Sequence, residues 1–152
     1  MEHLGSAIGL LASVIERSRD FPGRVADVRR LANRLIAHRA ELQRKLESAH
    51  RDARSALGGG REFCGRRSTR IAHSLAEEIQ HAEALLSELT CVRRRLGRER
   101  RGMLHRINVC ERLARDLPDG DERTRLLDVI RHARASLQTL TRGEAKHDGH
   151  AR

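Results

Sequence analysis

Hydrophobic residues recur at every seventh position between Ser68 and Leu117, a stretch without proline. The main row consists of Leu75, Ala82, Leu89, Leu96, Met103, Cys110 and Leu117. A second apolar row beside it consists of Ile71, Ile79, Leu85, Leu86, Val92, Ile107 and Leu113. Apolar side chains at this spacing lie on one side of an α-helix and need a partner helix. The pattern therefore predicts a long helix over 68–117 that packs in the manner of a coiled coil.

Two shorter patterns predict helices that precede this stretch. The first has 4-3-4 spacing and consists of Leu4, Ile8, Leu11 and Ile15. It predicts a helix over about 2–19 whose apolar surface extends beyond one stripe. The sequence Asp20-Phe21-Pro22-Gly23 then predicts a break, because proline suits the first turn of a new helix and disrupts a helix interior. A seven-residue apolar repeat predicts a second helix over 24–57.

Glycine and proline mark the remaining boundaries. Gly58-Gly59-Gly60 ends the second helix and opens a basic loop that reaches Arg67. Pro118 follows the long helix, and a 4-3-4-3 apolar pattern after it predicts a fourth helix over 121–141. Residues 142–152 are polar and are expected to form a disordered basic tail.

The lengths of these helices indicate how they pair. If the second helix folds back along the third, the N-terminal end of the second helix lies opposite about Arg101. There Gly97 and Gly102 each weaken the helix by about 1 kcal/mol, and Glu99 interrupts the apolar row. We therefore expect a bend or break at 97–102. The predicted fold class is all-α: about four helices in elongated antiparallel hairpins of coiled-coil type, forming one helical module over 1–141.

The composition narrows the range of partners. Lys and Arg total 31 against 21 Asp and Glu, which gives a formal net charge of +10. A charge of this size favours an anionic partner (nucleic acid, acidic protein or anionic lipid), or reflects a solvated helical surface rich in arginine. Phe21 and Phe63 are the only aromatic residues. Their scarcity argues against a base-stacking surface or a ring-lined cofactor pocket.

An arginine-rich segment is the strongest local signal for binding. Its candidate partner-binding or anion-binding residues are Arg93, Arg94, Arg95, Arg98, Arg100 and Arg101. Guanidinium groups bind phosphate and carboxylate oxygens in a bidentate manner, so the segment could hold nucleic acid or an acidic helix. The alternative is a solvated helix face whose arginine stems cover the apolar seam.

The sequence gives weaker support to metal binding, cysteine chemistry and membrane insertion. Glu47–His50 and Glu78–His81 form two E-x-x-H pairs, which di-iron helical bundles use together with further glutamates. The sequence does not supply those glutamates at suitable places, so no metal site or cofactor is predicted. The three cysteines form no C-x-x-C motif, which favours a reducing cytoplasmic setting. The N-terminal apolar run is too short and interrupted to predict a membrane span.

These patterns predict a non-enzymatic structural or adaptor protein. We expect it to act through helix–helix contacts, either by self-association or as a subunit of a larger complex. The predicted helix-interface residues are Leu4, Ile8, Leu11, Ile15, Leu75, Leu89, Leu96 and Met103. The alternative is a non-specific nucleic-acid-binding or chromosome-architecture protein that uses the Arg93–Arg101 face.

Overall fold

The part of the chain that the structure describes is almost entirely helical. The structure, a computed structural model, describes residues 2–145, and within that range it contains no strand. Helix α1 spans Glu2–Gly58, α2 spans Glu62–Asp116 and α3 spans Asp121–Ala145. The predicted all-α class is therefore confirmed, whereas the predicted count of about four helices is not.

The predicted break at Asp20–Gly23 is wrong, because α1 continues through Pro22. A proline in a helix interior costs about 3 kcal/mol relative to alanine. Burial on the same helix offsets that cost, since each large apolar side chain contributes about 1.5–3 kcal/mol. The buried face of α1 runs in 4-3-4-3 steps up to the proline and consists of Ala7, Leu11, Val14, Ser18 and Phe21. Tertiary packing thus overrides the local preference for a break.

Helix α2 also differs from the prediction. It begins at Glu62, so the expected loop from Gly58 to Arg67 is reduced to residues 59–61. It passes Gly97 and Gly102 without interruption, so the break expected at 97–102 is absent. Leu96 and Met103, which flank this segment, are 8% and 2% exposed. Their burial outweighs the cost of about 1 kcal/mol that each glycine imposes on the helix.

Helix α3 begins at Asp121 as predicted and continues four residues beyond the predicted end at residue 141. The Thr124 amide donates to the Gly120 carbonyl (3.1 Å), which starts the helical hydrogen bonding. Asp121 and Glu122 lie in the first turn, where carboxylates favour the positive end of the helix dipole. The rest of the predicted tail, residues 146–152, lies outside the described residues.

A glycine in the left-handed conformation closes α1. The Gly60 amide donates to the Leu57 carbonyl (3.2 Å), and the Arg61 amide donates to the Ala56 carbonyl (2.8 Å). This pair of bonds defines a Schellman motif, which needs a positive φ at the residue after the C-cap. Gly60 has a φ of 73°. The glycine triplet therefore ends the helix as predicted, and Gly60 is the residue that allows the turn.

Alanine substitutions should have opposite effects at two neighbouring glycines. Gly60→Ala should lower the free energy of unfolding by about 1–2 kcal/mol, because a Cβ is strained at positive φ. Gly58→Ala should raise it by about 0.5–1 kcal/mol, because Gly58 is helical and a Cβ there meets no atom within 4 Å. Urea unfolding followed by circular dichroism measures both. Effects of equal sign at the two sites would contradict the turn described above.

The packing of the helices divides the chain into two compact units. Unit 1 comprises residues 1–26 and 94–152, and unit 2 comprises residues 27–93. The described part of unit 1 contains three helical segments, at 2–26, 94–116 and 121–145. Its buried apolar residues are Ala7, Leu11, Val14, Phe21, Leu96, Met103, Ile107, Cys110, Ala114, Leu126, Ile130, Ala133 and Leu137. The predicted single module over 1–141 stays a prediction.

Polar groups inside unit 1 have partners. Ser18 is 3% exposed, and its hydroxyl donates to the Ile15 carbonyl (2.7 Å), so this polar group among apolar neighbours is satisfied. The Cys110 thiol lies 3.8 Å from the Ala7 carbonyl, to which it donates a weak hydrogen bond. Burial raises the pKa of this thiol. Cys110 is therefore a small core residue that joins α1 to α2.

Unit 2 contains two helical segments, which the 59–61 turn connects. An added Cβ on Gly65 would lie 2.6 Å from Leu57 side-chain atoms, so the helices touch next to the turn. Its buried apolar residues are Leu42, Ala49, Ala53, Ala56, Ala72, Ile79 and Ala82. Most of these are alanines, which allow close approach of the helices but bury little apolar area each. Two helices alone therefore leave unit 2 with a thin core.

Candidate interaction surfaces

A groove lies along one side of unit 2, between its two helices. Its volume is about 450 Å³. Its apolar lining consists of Leu35, Ala82 and Leu85. Its polar lining consists of His38, Ser74, Glu77, Glu78 and His81. Leu35 and His38 come from α1 and the other residues come from α2, so each helix forms one wall of the groove.

The apolar lining continues along both helices beyond the groove. On α2 a 4-3 spacing places one stripe on the groove side: Ile71, Leu75, Glu78, Ala82, Leu85, Leu89 and Val92. On α1 the same spacing joins Leu31, Leu35 and His38. Ile71 is 46% exposed, Leu31 49% and Val92 37%. We call these two stripes together the open face.

The open face has the character of a helix-packing surface that lacks its third helix. In unit 1, by contrast, three helical segments surround the core and bury Ile107 and Leu126 completely. Helices in proteins gain most of their stability from tertiary packing of an apolar face, and contiguous exposed apolar surface marks interaction sites. Covering the open face would therefore bury further apolar area in the unit that has the thinner core.

Charged residues flank the apolar lining of the open face on both helices. Glu77 and Glu78 lie on the α2 wall, and Glu78 forms no ion pair with another described residue. The Glu77 carboxylate lies 3.4 Å from His73 Nε2 on its own helix. On the α1 wall, Arg34 is exposed next to His38. Arg34 recurs at seven-residue spacing with Asp27 and Glu41 on α1, so the α1 side carries charges of both signs. The open face is thus apolar along its centre, acidic at Glu77 and Glu78 on α2, and mixed in charge on α1.

The predicted interface residues divide between the two units. Leu11, Leu96 and Met103 are buried in unit 1. Leu4, Ile8 and Ile15 are half-buried at the edge of that core, because the buried face of α1 follows Ala7, Leu11 and Val14 instead. Leu75 and Leu89 are half-buried on the open face. The predicted set thus contains core residues and open-face residues, but it lacks the α1 wall at Leu31, Leu35 and His38.

The arginine segment lies on α2, mostly on its exposed side. Arg93, Arg94, Arg95, Arg98 and Arg101 are exposed, and Arg100 is half-buried. Within unit 1, helical spacing places three arginines of the segment on the side of α2 opposite the core, together with His105 and Arg112. We call this row the arginine stripe: Arg94, Arg98, Arg101, His105 and Arg112.

Two acids near the arginine stripe form ion pairs with residues of other helices. Glu99 accepts two hydrogen bonds from Arg24 on α1, at 2.7 Å and 3.2 Å. Glu111 lies 2.6 Å from an Arg134 nitrogen on α3. None of the stripe residues forms an ion pair with another residue in the described range. Asp116 lies one turn beyond Arg112 on the same side of α2, so the part of the stripe whose positive charge no acid interrupts is Arg94, Arg98 and Arg101.

The Arg24–Glu99 pair joins α1 to α2 at the edge of the unit 1 core. Arg24 also lies over the Phe21 ring, 5.5 Å from its centroid. The hydrogen bond from Arg24 holds the pKa of the Glu99 carboxyl below its usual range. Because the pKa of Glu99 is lower in the folded state, the ion pair stabilises the fold fully at pH values above the unfolded-state pKa of this carboxyl. The stabilisation is lost as the pH falls through the folded-state pKa.

Glu99→Gln should therefore lower the stability at neutral pH and have little effect in acid. We expect a loss of about 0.5–1 kcal/mol at pH 7, the range for a well-aligned pair near the surface, and almost none near pH 2. Urea titrations at both pH values measure it. Glu83→Gln removes an exposed acid of unit 2 and should change neither value. An equal loss at both pH values would exclude the ion pair as the cause.

The E-x-x-H pairs do not assemble into a metal centre in the described part of the chain. Glu78 and His81 line the groove, whereas Glu47 and His50 are exposed on α1. No group of three or more His, Cys, Asp or Glu residues is placed to hold a metal ion among the described residues. Within the same range, no helix combines the length and apolar character needed to cross a membrane.

Comparison of the chain with protein-family models, with curated proteins and with solved structures finds no match.

Proposed function

We propose that this chain is a non-enzymatic structural or adaptor protein of the reducing cytoplasm that acts through helix–helix contacts. Its hairpins are of antiparallel coiled-coil type, and it self-associates or joins a larger complex. The open face of unit 2 is the observation that carries the proposal. It offers the apolar stripe and flanking charges that a docked helix requires, on a unit whose own core consists mainly of alanines.

The character of the open face supports docking of a helix rather than binding of a small molecule. Its α2 stripe, which is apolar except at Glu78, follows helical 4-3 spacing over 71–92, about 30 Å of helix at 1.5 Å per residue. A small-molecule site is usually a concave pocket with aromatic walls. The groove here contains no aromatic residue among its lining residues. An extended amphipathic helix matches this length and shape.

Site-specific photo-crosslinking in living cells tests the proposal. A photoreactive phenylalanine analogue replaces Ile71 on the open face, and the same analogue replaces Val109 in unit 1 as the control. The two positions are on the same helix and are 46% and 43% exposed. We expect protein adducts at position 71 that are absent at position 109. No adduct at position 71, or the same adducts at both positions, would contradict the proposal.

The arginine stripe favours a second candidate function, non-specific binding of nucleic acid. Its residues span 94–112 on one helix face, about 27 Å, and the two acids within this span, Glu99 and Glu111, pair with residues of other helices. Each strand of duplex DNA carries one phosphate for about every 3.4 Å of helix axis, so several phosphates lie along this distance. Contacts of this kind bind the backbone and do not distinguish sequences.

A mobility-shift assay at several salt concentrations tests this candidate. If the stripe neutralises about four phosphates, log K should fall with log salt with a slope of about −3.6. Replacing Arg94, Arg98 and Arg101 together with glutamate should abolish the shift. The matched control replaces Arg44, Arg51 and Arg54, which are exposed on α1 in unit 2. Equal losses in both triple variants would show that total charge, rather than the stripe, causes the binding.

A further inference from the structure

We propose that the end of the unit 2 hairpin binds anionic membrane surfaces, with Phe63 in the lipid interface and arginines on the headgroups. This site comprises residues 54–70: the end of α1, the connection at 59–61 and the first turns of α2. We call it the hairpin tip. The inference goes beyond the proposed helix contacts and does not depend on them, because the tip ends before Ile71, where the open-face stripe of α2 begins.

The hairpin tip exposes the two most accessible large apolar side chains in the described part of the chain. Phe63 is 82% exposed and Leu57 is 52% exposed. Each lies two residues from the connection, Leu57 before it and Phe63 after it. Phe and Leu side chains in such positions lose water contact when they enter the boundary between lipid headgroups and acyl chains. The end of the hairpin therefore offers apolar groups that a bilayer surface can bury.

Arginine is concentrated at the same end of the hairpin. Residues 54–70 contain one acid, Glu62, and five basic residues, all exposed: Arg54, Arg61, Arg66, Arg67 and Arg70. The tip thus carries a net charge of +4, out of +10 for the whole chain. Glu62 lies 3.6 Å from Arg66, and the other four arginines form no ion pair with another described residue. On α1 the nearest acid beyond the tip, Asp52, directly follows Arg51.

One side of the first turns of α2 combines the exposed ring with positive charge. Spacing of i, i+3, i+4 and i+7 places these residues together: Phe63, Arg66, Arg67 and Arg70. This side points away from α1, because Gly65 is the residue that lies against Leu57. Glu77 follows at the same seven-residue spacing, about 21 Å along α2 from Phe63. The charge pattern therefore favours contact through the end of the hairpin rather than along its side.

The arrangement of the tip favours a lipid surface over a protein or a nucleic acid. Protein interfaces are marked by contiguous apolar surface, whereas the apolar side chains here come from two helices and stand among charges. Single-stranded nucleic acid stacks on aromatic side chains, but Phe63 is the only aromatic residue of the tip, and Leu57 cannot stack. Lipids can move to each guanidinium, and their acyl region accepts both apolar side chains.

Co-sedimentation of the full chain with lipid vesicles tests the electrostatic part. Binding should require phosphatidylserine in phosphatidylcholine vesicles and should weaken as salt is added. Replacing Arg66, Arg67 and Arg70 together with glutamine should weaken it about 100-fold, since each arginine near an anionic surface contributes about fivefold. The matched control replaces Arg94, Arg98 and Arg101 with glutamine. It removes the same charge from unit 1 and should leave binding nearly unchanged.

Substitutions at Phe63 test the apolar part. Phe63→Ser keeps the charge and should weaken vesicle binding about tenfold. The chain contains no tryptophan, so Phe63→Trp adds a single fluorophore. Its emission should shift to shorter wavelength on phosphatidylserine vesicles and be quenched by brominated lipids. Ile36→Ser and Ile36→Trp are the controls, at a site of unit 2 that is 47% exposed, and neither response should occur there.

Each contrary result has a distinct meaning. No binding to phosphatidylserine vesicles would overturn the inference. Equal losses in the two arginine variants would assign the binding to total charge, and equal quenching at positions 63 and 36 would place the contact outside the tip; either result would also overturn it. A response of Phe63→Trp to a single-stranded oligonucleotide, but not to vesicles, would make the tip a nucleic-acid site instead. Crosslinking at position 71 reads the open face, so the helix-docking proposal stands or falls separately.

Discussion

Replacing Ile107 with alanine should lower the free energy of unfolding by about 2–5 kcal/mol, the range for truncation of a large core residue. Ile107 is 0% exposed and lies in the part of unit 1 where all three helical segments bury side chains. Leu11 of α1 and Leu126 of α3 are also 0% exposed there. The truncation removes apolar contacts and leaves a cavity that a three-helix core cannot fill without moving a helix.

Val109 provides the matched control. It lies two residues further along α2 and is 43% exposed, so Val109→Ala should change stability by less than about 0.5 kcal/mol. Both variants are compared by urea unfolding followed by circular dichroism at the same pH. A loss below about 1 kcal/mol for Ile107→Ala would show that this position is not in a closed three-helix core.

Replacing Pro22 with alanine should raise stability by about 1–3 kcal/mol. In a continuous helix, proline lacks the amide that would bond the carbonyl four residues earlier, and its ring clashes with that carbonyl. Alanine restores the bond and removes the clash. If α1 instead ended before Pro22 and a new helix began there, proline would occupy a favoured first-turn position. Alanine would then be neutral or slightly destabilising.

The sign of the Pro22→Ala effect therefore decides whether α1 is continuous. Ala26→Pro serves as the converse control, because Ala26 is exposed and helical one turn further along. It should destabilise the chain by about 3 kcal/mol or more by breaking the same helix. Thermal and urea unfolding of both variants measure the effects. A stabilising Ala26→Pro would contradict a helix that extends from the first turn to Gly58.

Local sequence rules correctly predict the features that local chemistry determines. The glycine triplet ends α1 because a Schellman turn needs a residue at positive φ, and Gly60 supplies it. The acidic first turn of α3 follows from the helix dipole. The rules fail at Pro22 and at Gly97 and Gly102, where residues from other helices bury Phe21, Leu96 and Met103. The energy of that burial depends on contacts that lie far away in sequence.

The candidate sites also divide into features that the local sequence predicts and features that depend on contacts between distant residues. The arginine segment is visible in the sequence because composition alone identifies it. The pairing of Glu99 with Arg24 is not, since the two residues are 75 positions apart. The open face is partly visible, because its α2 stripe has helical spacing. The second apolar row of α2 is not buried as a whole, however, because Ile79 and Ile107 are buried and Ile71 and Val92 are exposed. Only the packing of α2 against the other helical segments determines which members of the row are buried.

The placement of the cysteines has a practical consequence for following the opening of unit 1. Cys110 is 1% exposed, whereas Cys64 and Cys91 are exposed. A maleimide dye should therefore modify Cys64 and Cys91 in the native state and reach Cys110 only when the helices around it separate. The labelling rate of that single thiol, in a chain whose other two cysteines are serine, measures the frequency of this separation without any denaturant.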